Sequence, residues 1–219
     1  LRLLSELRQS MRHVTELFCD RSNAPSQGVN ILLAHEMIGL GGQEERFGCE
    51  FDDFFSCADG ATPEALIKRG WQIRLVTDAR GLKHTEGFPA VAVDQIHAAS
   101  PFTKNPLKLL KAGVELTRGL AETQAIVKSW KPDVVAGFGG YPAFPAIASA
   151  RTAGIPFCIH EQNAVLGRVN RTFASKAGFI ASGFERLDRL PDRARQRHIL
   201  TGNPLREPIV EARAAGYPE

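Results

Sequence analysis

The sequence has few cysteines, and none of them are paired at a spacing that would suit a metal or redox site. Its four cysteines are scattered, and no Cys-x-x-Cys pair occurs; they are Cys19, Cys49, Cys57 and Cys158. This pattern argues against a metal site or a disulfide framework and favours reduced thiols, as in cytosolic proteins.

Long apolar runs and a strong charge bias are also absent. No run approaches the roughly 20 apolar residues that span a bilayer, and no charged start followed by an apolar centre indicates a signal peptide. The net charge of +3 is too small to indicate nucleic-acid binding, and no zinc-finger spacing or RNA-reading aromatic motif occurs. The 219 residues are 43% hydrophobic and 23% charged. This balance is typical of a soluble globular protein with a sizeable core.

Apolar segments of strand length alternate with segments of helical period from residue 29 onward. We expect strands at 29–34, 72–77, 89–93, 132–137, 155–160, 179–181 and 199–201, and helices at 63–69, 105–130, 142–152 and 165–175. This alternation predicts an α/β protein with a Rossmann-like, doubly wound parallel sheet covered on both faces.

Two parts of the chain lie outside that pattern. Residues 1–28 suggest an amphipathic helix followed by a linker. Residues 35–61 are rich in glycine, phenylalanine and acidic residues with no period of 2 or 3.6, so we expect them to be irregular and poorly packed. The Rossmann-like domain is therefore expected over 29–208, with an anomalous stretch at 35–61.

A glycine-rich turn follows the strand predicted at 132–137. It contains Gly137, Gly139 and Gly140, followed by Tyr141 and Pro142 at a helix start. In an open α/β sheet, ligands bind outside the carboxyl ends of the strands, and the N–H groups of a helix start suit an anion such as a diphosphate. The alternative is a tight turn whose glycines serve backbone geometry alone.

Four polar residues follow the next strand directly, from His160 to Asn163. A carboxylate beside an amide, as in Glu161 and Asn163, suits the recognition of sugar hydroxyls. His160 is a further candidate acid or base, because its ordinary pKa lies near neutrality. The alternative is structural, with Asn163 capping the helix expected to begin near Val165.

A turn of Gly202, Asn203 and Pro204 follows the last short strand. Arg206, just after it, could meet a phosphate through its planar guanidinium, or it could simply be solvated. A different alternative for the whole chain is a dinucleotide-dependent dehydrogenase. Its support is weak, because the glycines at 39–42 do not complete the Rossmann fingerprint and only Asp78 lies near the ribose position.

Three segments taken together resemble the MurG family of bacterial glycosyltransferases. They are Lys131–Pro142, Ile155–Asn170 and Thr201–Arg206, and the similarity extends over residues 64–208. The most specific part is His-Glu-Gln-Asn-Ala-Val-Leu-Gly, which begins at His160.

The resemblance implies the N-terminal, acceptor-binding half of a two-domain GT-B glycosyltransferase. Such an enzyme moves N-acetylglucosamine from UDP-N-acetylglucosamine to the muramyl 4-hydroxyl of lipid I, with inversion, in peptidoglycan synthesis. By resemblance, Gly139, Gly140 and Tyr141 line the acceptor diphosphate region, and Glu161 and Asn163 lie near the reacting sugars. Glu161 is the catalytic candidate, and Arg206 reaches toward the donor. No metal or bound cofactor is implied.

The sequence departs from the family at its first loop and at its end. The family has Gly-Gly-Thr-Gly-Gly-His after its first strand, whereas here His35 and the residues up to Gly42 follow. The base role of the family's histidine is not carried onto His35. Residues 209–219 resemble the start of an interdomain segment, and the donor-binding domain is not in the sequence. We therefore expect that this chain alone does not transfer sugar, which leaves a non-catalytic sugar- or nucleotide-binding module as an alternative function.

The segment 102–111 interleaves apolar and basic residues. Its apolar members are Phe102, Leu107, Leu109 and Leu110, and its basic members are Lys104, Lys108 and Lys111. Such a pattern favours an anionic membrane surface. With the lipid-linked acceptor that the resemblance implies, it predicts a peripheral protein on the cytoplasmic face of the bacterial inner membrane. The alternative is a helix whose leucines face the core.

Overall fold

The structure, a computed structural model, describes residues 30–34, 67, 70–86, 88, 90–100 and 105–202. Within these residues, seven strands form one sheet in which all neighbours are parallel. The strands are β1 (Asn30–Ala34), β2 (Gln72–Thr77), β3 (Ala92–Gln95), β4 (Val134–Gly137), β5 (Phe157–Glu161), β6 (Ile180–Ser182) and β7 (His198–Leu200).

The strand order is β3-β2-β1-β4-β5-β6-β7. From β1 the chain winds outward to one edge through β2 and β3, then returns to the centre and winds to the other edge from β4 onward. This reversal between β1 and β4 is the switch point of a doubly wound sheet, where a crevice opens at the carboxyl ends of the strands. The predicted fold class is therefore confirmed.

Three described α-helices connect the strands. They are α1 (Pro106–Trp130), α2 (Gly140–Ala153) and α3 (Arg168–Ala174), with short 3-10 helices at Gly81–His84 and Asp192–Arg197. The start of α1 follows from its sequence, because the Asn105 side chain accepts hydrogen bonds from the N–H groups of Leu107 (3.0 Å) and Lys108 (3.2 Å), and Pro106 occupies the first turn.

The core has two layers, one on each face of the sheet. Alternate strand residues enter each layer, as the period of a strand requires: Leu32 and Val135 lie on one face, and Leu33 and Val134 on the other. The first layer contains residues of α1, α2 and α3, including the fully buried Ile147.

Several element boundaries differ from those expected. The third strand begins at Ala92, not at 89, because residues 92–95 are the ones that pair with Arg74–Thr77 of β2. Helix α3 is seven residues long, beginning at Arg168 and not near Val165. Helix α2 begins two residues earlier than expected, at Gly140.

Some predictions concern residues outside the described part of the chain. These are the N-terminal helix and linker at 1–28, the irregular stretch at 35–61 and the segment from 203 to 219, including Arg206. Of the helix expected at 63–69, only Ile67 is described, and it is helical. The domain boundaries at 28 and 208 therefore stay predictions.

Candidate functional site

The candidate site lies at the carboxyl edge of the central strands. The ends of β1 and β4 lie side by side, with Ala34 paired to Gly137. The N–H of Phe138 continues this pairing by donating to the carbonyl of Ala34 at 3.0 Å. Strand β5 runs beside β4, so the glycine turn and the polar strand end emerge next to each other at the switch point.

The glycine turn needs glycine for its backbone conformation. Gly139 has φ +81° and Gly140 has φ +70°, in the left-handed region that other residues rarely adopt. The turn leads directly into α2, whose N-cap makes no side-chain hydrogen bond, so the first N–H groups of the helix point out of its end at the carboxyl edge of the sheet. Such a helix start suits an anionic ligand group, because the glycines of the turn have no side chains that would keep the ligand away from the N–H groups.

The polar strand end is organised around a buried carboxylate. Glu161 is 3% exposed. Its Oε1 accepts from the backbone N–H of Asn163 at 3.2 Å and from Asn163 Nδ2 at 3.0 Å. Its Oε2 accepts from the N–H of Gly167 and from Asn170 Nδ2, each at 2.9 Å. The catalytic assignment of Glu161 stays a prediction, while these contacts tie it to the loop that follows.

Asn163 does not cap a helix, so that structural alternative is wrong. Helix α3 has Gly167 as its N-cap residue, with no side-chain cap hydrogen bond. The Asn163 side chain turns back to Glu161 instead. Asn163 is exposed at the carboxyl edge of the sheet, just after β5.

His160 is buried, and its ring contacts the turn after β7. Its residue is 7% exposed, and its Nε2 lies 3.3 Å from the carbonyl oxygen of Gly202, after β7. Burial lowers the pKa of His160, opposed by the Gly202 carbonyl and by Glu161. A neutral ring with hydrogen on Nε2 donates to Gly202, which fixes the turn after β7 beside the site.

Two side chains join the glycine turn to the polar strand end. Gln162 Nε2 donates to the carbonyl of Phe138 at 3.3 Å. Asn170 of α3, only 1% exposed, donates from Nδ2 to the carbonyl of His160 at 3.2 Å as well as to Glu161. The sequence analysis assigned no role to Asn170. Its signal was an asparagine on the face of α3 that also carries the apolar Val169 and Phe173.

A second pair at the same edge joins β2 to the glycine turn. The guanidinium carbon of Arg80 lies 5.6 Å from the centre of the Tyr141 ring. Asp78 holds Arg80 by accepting from its Nε at 2.9 Å and from its Nη2 at 2.5 Å, and its Oδ1 accepts from the N–H groups of Arg80 and Gly81. Because the Asp78 carboxylate serves its own turn in this way, the structure gives no support to the dehydrogenase alternative.

The structure thus brings together five of the six predicted site residues. Gly139, Gly140, Tyr141, Glu161 and Asn163 lie at one edge of the sheet, on two neighbouring strand ends. Arg206 lies outside the described residues. Within the described ranges, no group of three or more histidine, cysteine, aspartate or glutamate side chains could hold a metal ion. In the same ranges, no helix combines the length and apolar character needed to cross a membrane.

The parallel sheet of order 3-2-1-4-5-6-7 and the glycine and polar loops at its switch point define a Rossmann-like α/β protein with a ligand crevice at the carboxyl edge. The sequence pattern of the family described as the glycosyltransferase family 28 N-terminal domain matches residues 60–182, more than half of the chain. The chain belongs to this family of glycosyltransferases.

Relatives and a solved structure agree with this assignment. The chain is 75% identical over 158 residues to the UDP-N-acetylglucosamine–N-acetylmuramyl-(pentapeptide) pyrophosphoryl-undecaprenol N-acetylglucosamine transferase of Maricaulis maris. This match covers 72% of this chain and 43% of that protein. It is 42% identical over 149 residues to the transferase of the same name from Caulobacter vibrioides, covering 68% of this chain and 41% of that protein. The chain therefore spans less than half the length of these relatives.

The crystal structure of Acinetobacter baumannii MurG has a similar fold. It matches with a TM-score of 0.56 at 22% sequence identity, and the match covers 88% of this chain and 50% of that one. At this identity, the similarity supports the fold.

Proposed function

We propose that this chain is the acceptor-binding half of an inverting glycosyltransferase that moves N-acetylglucosamine from UDP-N-acetylglucosamine to lipid I, giving lipid II for peptidoglycan. The observation that carries the proposal is the meeting of the glycine turn and the polar strand end at one edge of the sheet, in a chain that is 75% identical over 158 residues to a transferase of that name.

The crevice provides two kinds of contact that this acceptor needs. The start of α2, with Gly139 before it and Gly140 as its first residue, offers N–H groups to the diphosphate. The guanidinium of Arg80 lies beside Tyr141, and the Asp78 carboxylate balances its charge. Asn163, exposed at the same edge of the sheet, offers its side-chain amide to the hydroxyl groups of a sugar. In the proposed reaction, the muramyl 4-hydroxyl attacks the anomeric carbon of the donor sugar, its proton passes to a base, and UDP leaves.

This chain alone is proposed to bind without turning over. Most of the donor would be held by a second domain, and the advantage of holding two substrates together is lost without it. Glu161 is the catalytic candidate that the resemblance implies, and its carboxylate already accepts four hydrogen bonds within the protein. We therefore propose an acceptor-binding module of a transferase. In isolation, the chain would behave as the non-catalytic binding module of the alternative.

We also propose peripheral contact with the anionic cytoplasmic face of the inner membrane through the first turns of α1. Leu107 is 78% exposed, Leu110 is 70% exposed and Leu109 is 48% exposed. The alternative in which these leucines face the core is therefore wrong. Lys108 and Lys111 are exposed among them, which is the combination that suits anionic lipid. Phe102 and Lys104 lie outside the described residues.

The test is radiolabelled sugar transfer to a lipid I analogue. We expect no turnover by the 219-residue chain. We expect turnover when Gly-Gly-Thr-Gly-Gly-His is placed after Ala34 and the donor half of the Maricaulis maris transferase is fused after residue 208. Tight and specific binding of the lipid I analogue to the unrepaired chain supports the acceptor role. A fusion that folds but neither binds the analogue nor transfers sugar contradicts it.

A further inference from the structure

Hydrogen bonds from described residues use every acceptor position of the Glu161 carboxylate, so none is left for a ligand. Each of its oxygens accepts two hydrogen bonds, from Asn163 on one side and from Gly167 and Asn170 on the other. A carboxylate has about four acceptor positions, so all of them are used within the protein. With 3% of the residue exposed, its contacts point into the protein and not into the crevice.

The donors on Oε2 are fixed. The second hydrogen of Asn170 Nδ2 goes to the carbonyl of His160, so turning this amide over would set its oxygen against two acceptors. The Gly167 donor is a backbone N–H at the start of α3. A side chain at Gly167 would crowd the carboxylate, because a Cβ there would lie 3.3 Å from Glu161 Oε2.

The donors on Oε1 set the orientation of the Asn163 amide. Because Nδ2 of Asn163 donates to the carboxylate at 3.0 Å, the amide oxygen Oδ1 is turned the other way. Asn163 is exposed, and its Oδ1 accepts no hydrogen bond from any described residue. The atom that Asn163 presents to solvent is therefore a hydrogen-bond acceptor.

From these contacts we infer that Glu161 is a positioning residue, which fixes the Asn163 amide so that Oδ1 accepts a hydrogen bond from a sugar hydroxyl of the substrate. This inference rests on the proposed function for the identity of the ligand, but the orientation of the amide is a property of the free protein. Glu161 acts through Asn163 and does not itself touch the substrate.

The substitution Glu161→Gln tests the inference because it exchanges one oxygen for an amide nitrogen of the same shape. On the side of Oε2 the nitrogen would face two fixed donors, the Gly167 N–H and Asn170 Nδ2. On the side of Oε1 the side-chain donor can turn over, so the nitrogen takes that position and opposes only the backbone N–H of Asn163, whose hydrogen bond is lost. The Asn163 amide then turns over, so that its oxygen accepts from Gln and its Nδ2 faces solvent. The substitution therefore replaces the presented acceptor by a donor.

The first readout needs no ligand. In a spectrum of ¹⁵N-labelled side-chain amides of the full chain, the Asn163 signal is identified by its loss in Asn163→Ala. We expect slow hydrogen exchange for this amide in the wild type, and fast exchange in Glu161→Gln with the backbone spectrum preserved elsewhere. Fast exchange in the wild type, or equal exchange in both proteins, would overturn the inference. Glu185→Gln, an exposed charge neutralisation elsewhere, is the matched control and should leave the exchange slow.

The second readout is the affinity for a lipid I analogue with a short lipid. We expect Glu161→Gln and Asn163→Ala each to weaken binding about tenfold, as expected for one lost hydrogen bond to a partner left unsatisfied. The double variant Glu161→Gln/Asn163→Asp restores an outward oxygen and should recover part of the loss. Equal binding by the wild type and Glu161→Gln overturns the positioning role and leaves the proposed function standing. No binding by the wild type overturns the proposed function, and the exchange experiment still decides the orientation of the amide.

Discussion

Asn170 lies directly against Gly139, and this contact joins the glycine turn to the polar strand end. A Cβ placed on Gly139 would lie 3.2 Å from Asn170 Nδ2, the same atom that donates to Glu161 and to the His160 carbonyl. The backbone of the turn therefore packs against the Asn170 amide, which also donates hydrogen bonds at the end of β5. A substitution at Gly139, Asn170 or Glu161 is therefore expected to alter both the glycine turn and the polar strand end.

Gly139→Ala is expected to destabilise the protein by about 1–3 kcal/mol, because alanine is strained at φ +81° and its Cβ crowds Asn170. Equilibrium unfolding in urea measures the change. The matched control is Gly113→Ala on the exposed side of α1, where a Cβ meets nothing within 4 Å. That substitution should stabilise by about 0.5–1 kcal/mol, because alanine is the better helix former. Equal effects of the two substitutions would contradict this account of the turn.

The thiol of Cys158 is expected to resist alkylation in the folded protein. Burial raises its pKa to about 12, so the thiolate fraction at pH 8 is about 10⁻⁴, and only the thiolate reacts. Mass spectrometry of the peptide containing Cys158 after iodoacetamide treatment measures the labelling. The same protein unfolded in guanidinium is the control and should label readily. Comparable labelling of the folded protein would show that this cysteine is not buried as described.

The stability of the protein is expected to fall on mild acidification, in part through His160. Burial lowers its folded pKa below the unfolded value of about 6.5, so the unfolded chain binds a proton first as the pH falls. Stability is therefore full above pH 6.5 and decreases as the pH falls toward the folded pKa. Urea unfolding at pH 7.5 and pH 5.5 measures the difference.

The variant His160→Gln should show a smaller difference between these two pH values than the wild type. The pKa of His198 is also lowered by burial, so the double variant with His198→Gln should reduce the difference further. A difference that is unchanged in both variants would assign the acid sensitivity to other groups.

Binding to anionic vesicles is expected to depend on the first turns of α1. The double variant Lys108→Glu/Lys111→Glu should sediment much less with vesicles containing phosphatidylglycerol, since each basic residue near such a surface contributes on the order of 1 kcal/mol. Leu107→Ser/Leu110→Ser should weaken binding too, because those side chains are exposed.

The matched control is Lys128→Glu/Lys176→Glu. Lys128 lies near the other end of α1 and Lys176 lies after α3, and both are exposed. This control has the same net charge as Lys108→Glu/Lys111→Glu. A loss of vesicle binding in both variants would therefore show that net charge, and not the position of the lysines, controls binding. Equal binding by the wild type and the α1 variant would remove the first turns of α1 as the contact.

The sequence predicted features whose causes are local. The start of α1 at Asn105 and Pro106 depends on neighbouring residues alone, and the alternation along β1 and β4 depends on the period of a strand. The resemblance placed the glycine turn and Asn163 at the same edge. The doubly wound class was predicted, whereas the order of its seven strands comes from the structure.

Features that depend on distant partners were not predictable in this way. The role of Asn170 requires knowing that α3 packs beneath the glycine turn, and the buried state of Glu161 requires the backbone N–H of Gly167. The start of α3 at Arg168 follows from the same contact, because the loop before it folds around the carboxylate. The exposure of Leu107 and Leu110 likewise depends on what α1 packs against, which periodicity alone does not state.

The polar contacts of the site are encoded within one short stretch of chain. Their described hydrogen bonds join residues from Phe138 to Gly202, and the widest of them connects positions 42 apart, His160 and Gly202. Among the described side-chain hydrogen bonds of the glycine turn and the polar strand end, each has both partners within this stretch, while the N–H of Phe138 donates to the Ala34 carbonyl of β1. Exchanging residues 132–202 with the matching segment of a related transferase would therefore transfer these side-chain contacts together, while the recipient has to supply the pairing of β4 with β1.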